Sequence, residues 1–234
     1  MREYMPDLDS QMNASIHWKA FFVNTCGLIA AATVVFGPEA VIQTIDDITS
    51  LTMYLPDPAL WALGLVFAVQ FVFFSWFQGY KILDTQVFGV EKEIGDFIFN
   101  QMLDAARQTG AARYQNMAAH PRRVRHLFYD LVNEMPETRK HAFSLWGRFY
   151  SLISCWAIII TWFLTTTIVA TWKDTIDWKL LLVLTAEFVL FWAINISVDS
   201  LTSQSIRQLP EQQVSKIVAD HSASLRARVD NEFQ

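Results

Sequence analysis

Between Leu180 and Val198 the sequence reads LLLVLTAEFVLFWAINISV, with Glu187 as its single charge. A carboxyl at the centre of an apolar helix can bind and release a proton or a small cation, or it can hold a neighbouring helix by a hydrogen bond. As an anion in the middle of a membrane it costs about 2.5 to 3.5 kcal/mol even on lenient insertion scales, so it must be neutral, paired or hydrated. Its own helix offers no partner, because Leu180, Val183, Leu184, Leu190, Phe191 and Ile194 fill the adjacent helical positions. The polar groups within reach of a pathway are Gln70, Thr161 and Thr165 in other apolar runs. Two arrangements follow. Either a neutral carboxyl donates to Gln70 or Thr165, or several copies of Glu187 surround a hydrated site where protons or cations bind in transit.

Other chemistry finds little footing. The five histidines, His17, His120, His126, His141 and His221, all fall in polar segments, so no intramembrane pair is expected to ligate a haem. The motifs HExxH, GxSxG and GxGxxG and the phosphate-binding P-loop do not occur. Cys26 and Cys155 sit singly in apolar runs, without metal-ligand spacing, and read as small packing residues. No catalytic residue, cofactor or metal ion is therefore expected, and an enzyme is the weakest class for this chain.

These groups have to be positioned by membrane helices. The composition is 53% hydrophobic, gathered in blocks between polar stretches, and the net charge of -5 indicates neither a nucleic-acid footprint nor an acidic tail. Four runs approach the roughly 20 helical residues that cross a bilayer: Trp18 to Phe36, Ala59 to Tyr80, Leu145 to Trp172 and Trp178 to Val198. The first is preceded by a segment with one Arg and three acids, and reads as a retained span rather than a signal peptide. Asn24, Gly27, Ala31 and Val34 make a small-residue seam on it. Ser151, Ser154, Ile158, Thr161 and Thr165 make a hydroxyl-rich seam on the third, and Asn195 adds a polar group toward the end of the fourth.

Basic residues set the expected orientation. Every Lys and Arg except Lys173 and Lys179 lies in polar segments assigned to one side, which the positive-inside rule makes cytoplasmic. Trp18, Trp76, Tyr80, Trp146 and Tyr150 then mark the inner interface, and Trp61, Trp172 and Trp178 the outer one. The expected fold is an all-α, multi-pass integral membrane protein of the plasma (inner) membrane: two transmembrane hairpins, 18–80 and 145–198, joined by a cytoplasmic helical segment, 81–144. A cytoplasmic N-terminal tail, 1–17, and an amphipathic C-terminal tail, 199–234, complete it.

Beyond Tyr80 the second span is expected to continue as a helix, with Leu83, Val87, Val90, Ile94 and Phe97 forming a coiled-coil-like seam. That seam serves either self-association of a stalk or docking within the chain. Val124, Leu127, Phe128, Leu131, Val132 and Met135 predict an amphipathic helix opening at Pro121 and ending before Pro136. Val214, Ile217, Val218, His221 and Leu225 predict another after Pro210. Arg122, Arg123 and Arg125, then Arg139 and Lys140, are candidate contacts for anionic lipid headgroups, though positive flanks are also ordinary beside a membrane. On the outer side Glu39, Asp46, Asp47 and Asp57 form an acidic loop, either a cation-attracting mouth or plain solvation, with Pro56 and Pro58 turning into the second span.

Two function classes fit. One is an oligomeric proton- or cation-conducting pore in which Glu187, Gln70, Thr161 and Thr165 line the ion pathway. The other is a non-conducting accessory, assembly or guard/immunity-type protein that binds a membrane or cytoplasmic protein partner through its helices, with membrane lipids as its surroundings. The expected assembly is a homo-oligomer, and no nucleic-acid partner is expected.

Overall fold

The computed structural model describes residues 5–39, 42 and 58–233, with side chains from residue 12 onward except at 203 and 204. Among these residues every regular element is helical and there is no strand. In order come α1 (Met5–Phe36), α2 (Pro58–Ser75), α3 (Gly79–Leu83), a π-helical turn (Asp84–Phe88), α4 (Val90–Gln108), α5 (Tyr114–Met117), α6 (Pro121–Asn133), α7 (Pro136–Trp172), α8 (Trp178–Leu201), a second π-helical turn (Thr202–Ile206) and α9 (Leu209–Glu232). Four stretches are long and apolar enough to cross a membrane: Met12–Phe36, Pro58–Ser75, Pro136–Trp172 and Trp178–Leu201. They point to a multi-pass membrane protein.

The chain divides into an apolar unit, 10–82 and 150–198, and a polar unit, 1–9, 83–149 and 199–234. In the apolar unit large apolar side chains cover much of the outside while several polar ones lie inside. Trp18, Phe22, Leu65, Ile168, Leu181 and Trp192 are exposed, whereas Asn24, Gln70, Ser154, Thr166 and Glu187 are buried. Such an arrangement suits a hydrocarbon solvent, in which polar groups must find partners among the helices. Most hydroxyls donate to the carbonyl four residues back, as Thr25, Thr33, Thr161, Thr165, Thr167 and Thr185 do.

The polar unit has a conventional core. All six residues of the stripe are buried, five of them on α6 from Val124 to Val132 and Met135 just past its end, and Pro121 opens that helix at its first turn. Pro136 begins α7. The stripe on α9 is buried at Val214, Ile217 and Leu225 and extends to Val229 and Phe233, and α9 packs on α4, α5 and α6. His221 bends it, with φ at -129° and ψ at 22°.

The second span does not continue as one helix. α2 stops at Ser75, Gln78 takes the left-handed conformation at φ 48°, and α3 begins at Gly79. A β-carbon on Gly79 would come within 2.1 Å of the Phe73 ring, so the missing side chain lets the backbone pass that ring. The π-helical turn and left-handed Gly89 (φ 65°, ψ 13°) then shift the helical phase again. As a result the expected seam splits: Val90 and Ile94 are buried, but Val87 and Phe97 are exposed. The face that packs is Val90, Ile94, Ile98, Met102 and Ala105, and it docks within the polar unit on α6 and α9.

On the loop after α1, left-handed Gly37 separates the helix from a resumption at Pro38 and Glu39. Asp46, Asp47, Pro56 and Asp57 lie outside the described residues, so the expected acidic loop is described only at Glu39.

Candidate functional site

Glu187 faces inward. On α8 the residues at least partly buried are Leu180, Val183, Leu184, Glu187, Phe191, Ile194, Val198 and Leu201, a stripe of three- and four-residue spacing, while Leu182, Phe188, Leu190 and Asn195 are exposed. One end of this stripe is fixed by Leu180, which clusters with Ala170 of α7 and Val34 of α1. Nearer the other end the Phe191 ring meets Trp156 of α7 at 5.8 Å between centroids. Between these contacts Glu187 is only 8% exposed, and its Oε2 has no hydrogen-bond partner among the described residues.

The remaining residues of the candidate pathway are set apart by their bonding. Thr161 donates to the Ala157 carbonyl at 2.8 Å and Thr165 to the Thr161 carbonyl at 2.7 Å. Their hydroxyl hydrogens are thus committed to α7 itself, although the oxygens keep lone pairs. Gln70, 6% exposed, borders a small cavity with Asn24, Ser75 and Ile158. Neither of its amide atoms has a partner among the described residues. Thr166, one position past Thr165, is fully buried and its hydroxyl is also unpartnered there.

Polar bonding between helices of the apolar unit lies elsewhere. Trp162 Nε1 donates to Asn24 Oδ1 at 2.8 Å, and Asn24 Nδ2 donates to the Phe67 carbonyl at 3.1 Å, so a single carboxamide ties α1 to both α7 and α2. Asn24 belongs to a seam legible in the sequence. Its indole partner is not, since nothing in the run around Trp162 distinguishes it from an interfacial anchor. Tyr80 adds a second tie, donating to Asn13 Oδ1 at 2.7 Å.

In the polar unit the five candidate headgroup contacts differ in freedom. Arg122, Arg123 and Lys140 are exposed. Arg125 is half-buried over Gly95, where a β-carbon would come within 2.7 Å of its Nη1. Arg139 is half-buried as well, its guanidinium 5.3 Å from the centre of the Phe143 ring.

Asp84 is an acid whose role sequence reasoning missed. It is fully buried, and its Oδ1 and Oδ2 accept the backbone N–H groups of Val90 at 3.0 Å and Glu91 at 3.3 Å. It therefore caps α4 from six residues upstream, filling the place a nearer side chain would take at an ordinary N-terminus. Burial pushes its carboxyl above the ordinary value, and the two backbone bonds oppose that rise. The signal available in the sequence is the acid followed five residues later by Gly89.

Among the described residues no three His, Cys, Asp or Glu side chains converge as a metal site. No protein-family model, curated protein or solved structure matches this chain. The functional reading therefore rests on the residues themselves.

Proposed function

We propose that the chain is a non-conducting membrane accessory protein, of assembly or guard type, that binds a protein partner through its helices. In this reading its spans form two hairpins, with both termini and the polar unit in the cytoplasm, and the exposed Arg122, Arg123 and Lys140 meet anionic lipid headgroups. The observation that carries the reading is the inward turn of Glu187, at 8% exposure. A pore lined by copies of this carboxyl needs it on an outer face of the protomer, and a route through the chain needs Gln70, Thr161 and Thr165 to point along one path. Instead both threonines bond their own helix, which favours packing and recognition over transport.

The test is reconstitution of the full chain in liposomes beside a purification from native membrane. Binding predicts no proton or cation flux above protein-free vesicles, and one stoichiometric partner whose complex can be rebuilt from purified components. Flux under a pH gradient, abolished by Glu187→Gln in a protein of unchanged oligomeric state, overturns it. That outcome would support the second reading, an oligomeric proton- or cation-conducting pore, which the unpartnered Oε2 of Glu187 favours.

A further inference from the structure

We propose that the apolar unit holds one buried water molecule between α1, α2 and α7, bound by the carboxamide of Gln70. A cavity of about 10 Å³ lies there, bordered by Ala20, Asn24, Gln70, Phe74, Ser75 and Ile158. About 10 to 15 Å³ of such space admits a single water, and two to four polar partners keep it. Gln70 is 94% buried and supplies both a donor and an acceptor, since its Nε2 and Oε1 are unpartnered among the described residues. Asn24 uses one amide hydrogen on the Phe67 carbonyl and one oxygen lone pair on Trp162, which leaves one further donor and acceptor beside the cavity. Ser75 adds a hydroxyl.

The chemistry of the walls selects water over the alternatives. No charged side chain borders the cavity, and a metal cation of the hard, oxygen-seeking kind requires several oxygen ligands that are not assembled here. An apolar guest would leave the Gln70 amide donor and acceptor unsatisfied in a buried place, which is unfavourable. A water answers both amide atoms at once and extends the polar tie of Trp162, Asn24 and the Phe67 carbonyl by one helical turn to Gln70. A singly hydrated site between α1, α2 and α7 is compatible with either a conducting or a non-conducting protein, so the water does not depend on the binding reading.

The full chain in nanodiscs is subjected to X-ray radiolytic hydroxyl labelling, which marks side chains beside bound water, and labels are quantified at two buried residues. Phe74, 4% exposed, borders the cavity, and Leu63, fully buried, does not. Phe74 should be labelled several-fold more than Leu63 once intrinsic reactivity is normalised, and Gln70→Leu should bring Phe74 down to the Leu63 level. Phe74 labelling equal to Leu63 in the unmutated protein overturns the proposal, as does unchanged Phe74 labelling in a folded Gln70→Leu variant. If that variant does not fold, the Phe74 to Leu63 comparison in the unmutated protein decides alone. A proton-flux result leaves both labelling outcomes untouched, so failure here is distinguishable from failure of the binding reading.

Discussion

The indole of Trp162 lies against the backbone of Gly27, so close that a β-carbon at position 27 would come within 2.2 Å of Cδ1. The same indole donates to Asn24, one turn earlier on α1. One residue of α7 therefore uses two features of the α1 seam: a gap that admits the ring and an oxygen that receives its N–H. Close approach and an interhelical hydrogen bond together are the usual means of holding helices where lipid is as apolar as the side chains.

Gly27→Ala should destabilise the apolar unit by about 1 to 3 kcal/mol, the usual cost of overpacking, because the added carbon meets a ring rather than a flexible tip. Trp162→Phe opens space and strands Asn24 Oδ1, at about 1 to 3 kcal/mol for the unpartnered oxygen. Combining them should cost less than the sum, since the smaller ring relieves the clash at position 27. Unfolding of the four proteins in mixed detergent and SDS checks this, and strict additivity would contradict the contact.

Two backbone positions should respond in opposite directions to substitution. Gln78 holds φ 48° with a side chain that disfavours it, so Gln78→Gly should be neutral or stabilising by up to about 1 kcal/mol. Gly89 holds φ 65° with open space around it, so Gly89→Ala should cost about 1 to 2 kcal/mol from conformation alone. Gly89→Asn should cost less than Gly89→Ala, because Asn tolerates the left-handed region. Thermal unfolding of the three variants gives the order.

These two positions also explain where sequence reasoning failed. The α6 stripe was fully legible because Pro121 and Pro136 bracket one uninterrupted helix, over which a 3.6-residue period keeps its phase. The stretch from Tyr80 to Phe97 carries an equally regular apolar pattern. Gln78 already separates it from α2, and its own phase is broken in the π-helical turn and at Gly89, so Val87 and Phe97 emerge on the outside. Periodicity reports a face only where the helix is continuous. At the candidate site the distinction is similar: that Glu187 lacks a partner on α8 follows from spacing, whereas its inward direction depends on which helix packs there. The Trp156 to Phe191 contact settles that direction and has no local signature.

The hold of α9 on the polar unit should rest on its core rather than on the ion pair just before its start. Arg207 and Glu93 pair at 2.9 Å with both side chains about half exposed, so Arg207→Ala should cost no more than about 1 kcal/mol. Ile217 is fully buried where α9 packs, and Ile217→Ala should cost about 2 to 5 kcal/mol. Hydrogen exchange along α9 in the full chain separates the two: faster exchange throughout the helix in Ile217→Ala, little change in Arg207→Ala.

Asp84 should make the start of α4 sensitive to pH, with a definite sign. Its folded-state pKa lies above the ordinary 3.8 because burial disfavours the anion, so the folded state holds its proton more tightly than the unfolded chain does. By linkage, the stability contributed by this proton is fully present below pH 3.8 and is lost as pH rises through the folded-state value. Asp84→Asn keeps an oxygen that can accept the Val90 N–H, replaces the other by an amide that cannot accept from Glu91, and does not titrate. Relative to Asp84→Asn, the unmutated protein should therefore be most stable at the acid end of the range and lose that advantage on the way to neutrality. Unfolding of both proteins measured in parallel from about pH 3.5 to 7 cancels the other carboxyls to first order. A difference that is flat across the range would show that the two backbone bonds balance burial at this carboxyl, and one that grows in favour of the unmutated protein with rising pH would show that they outweigh it; either overturns the prediction.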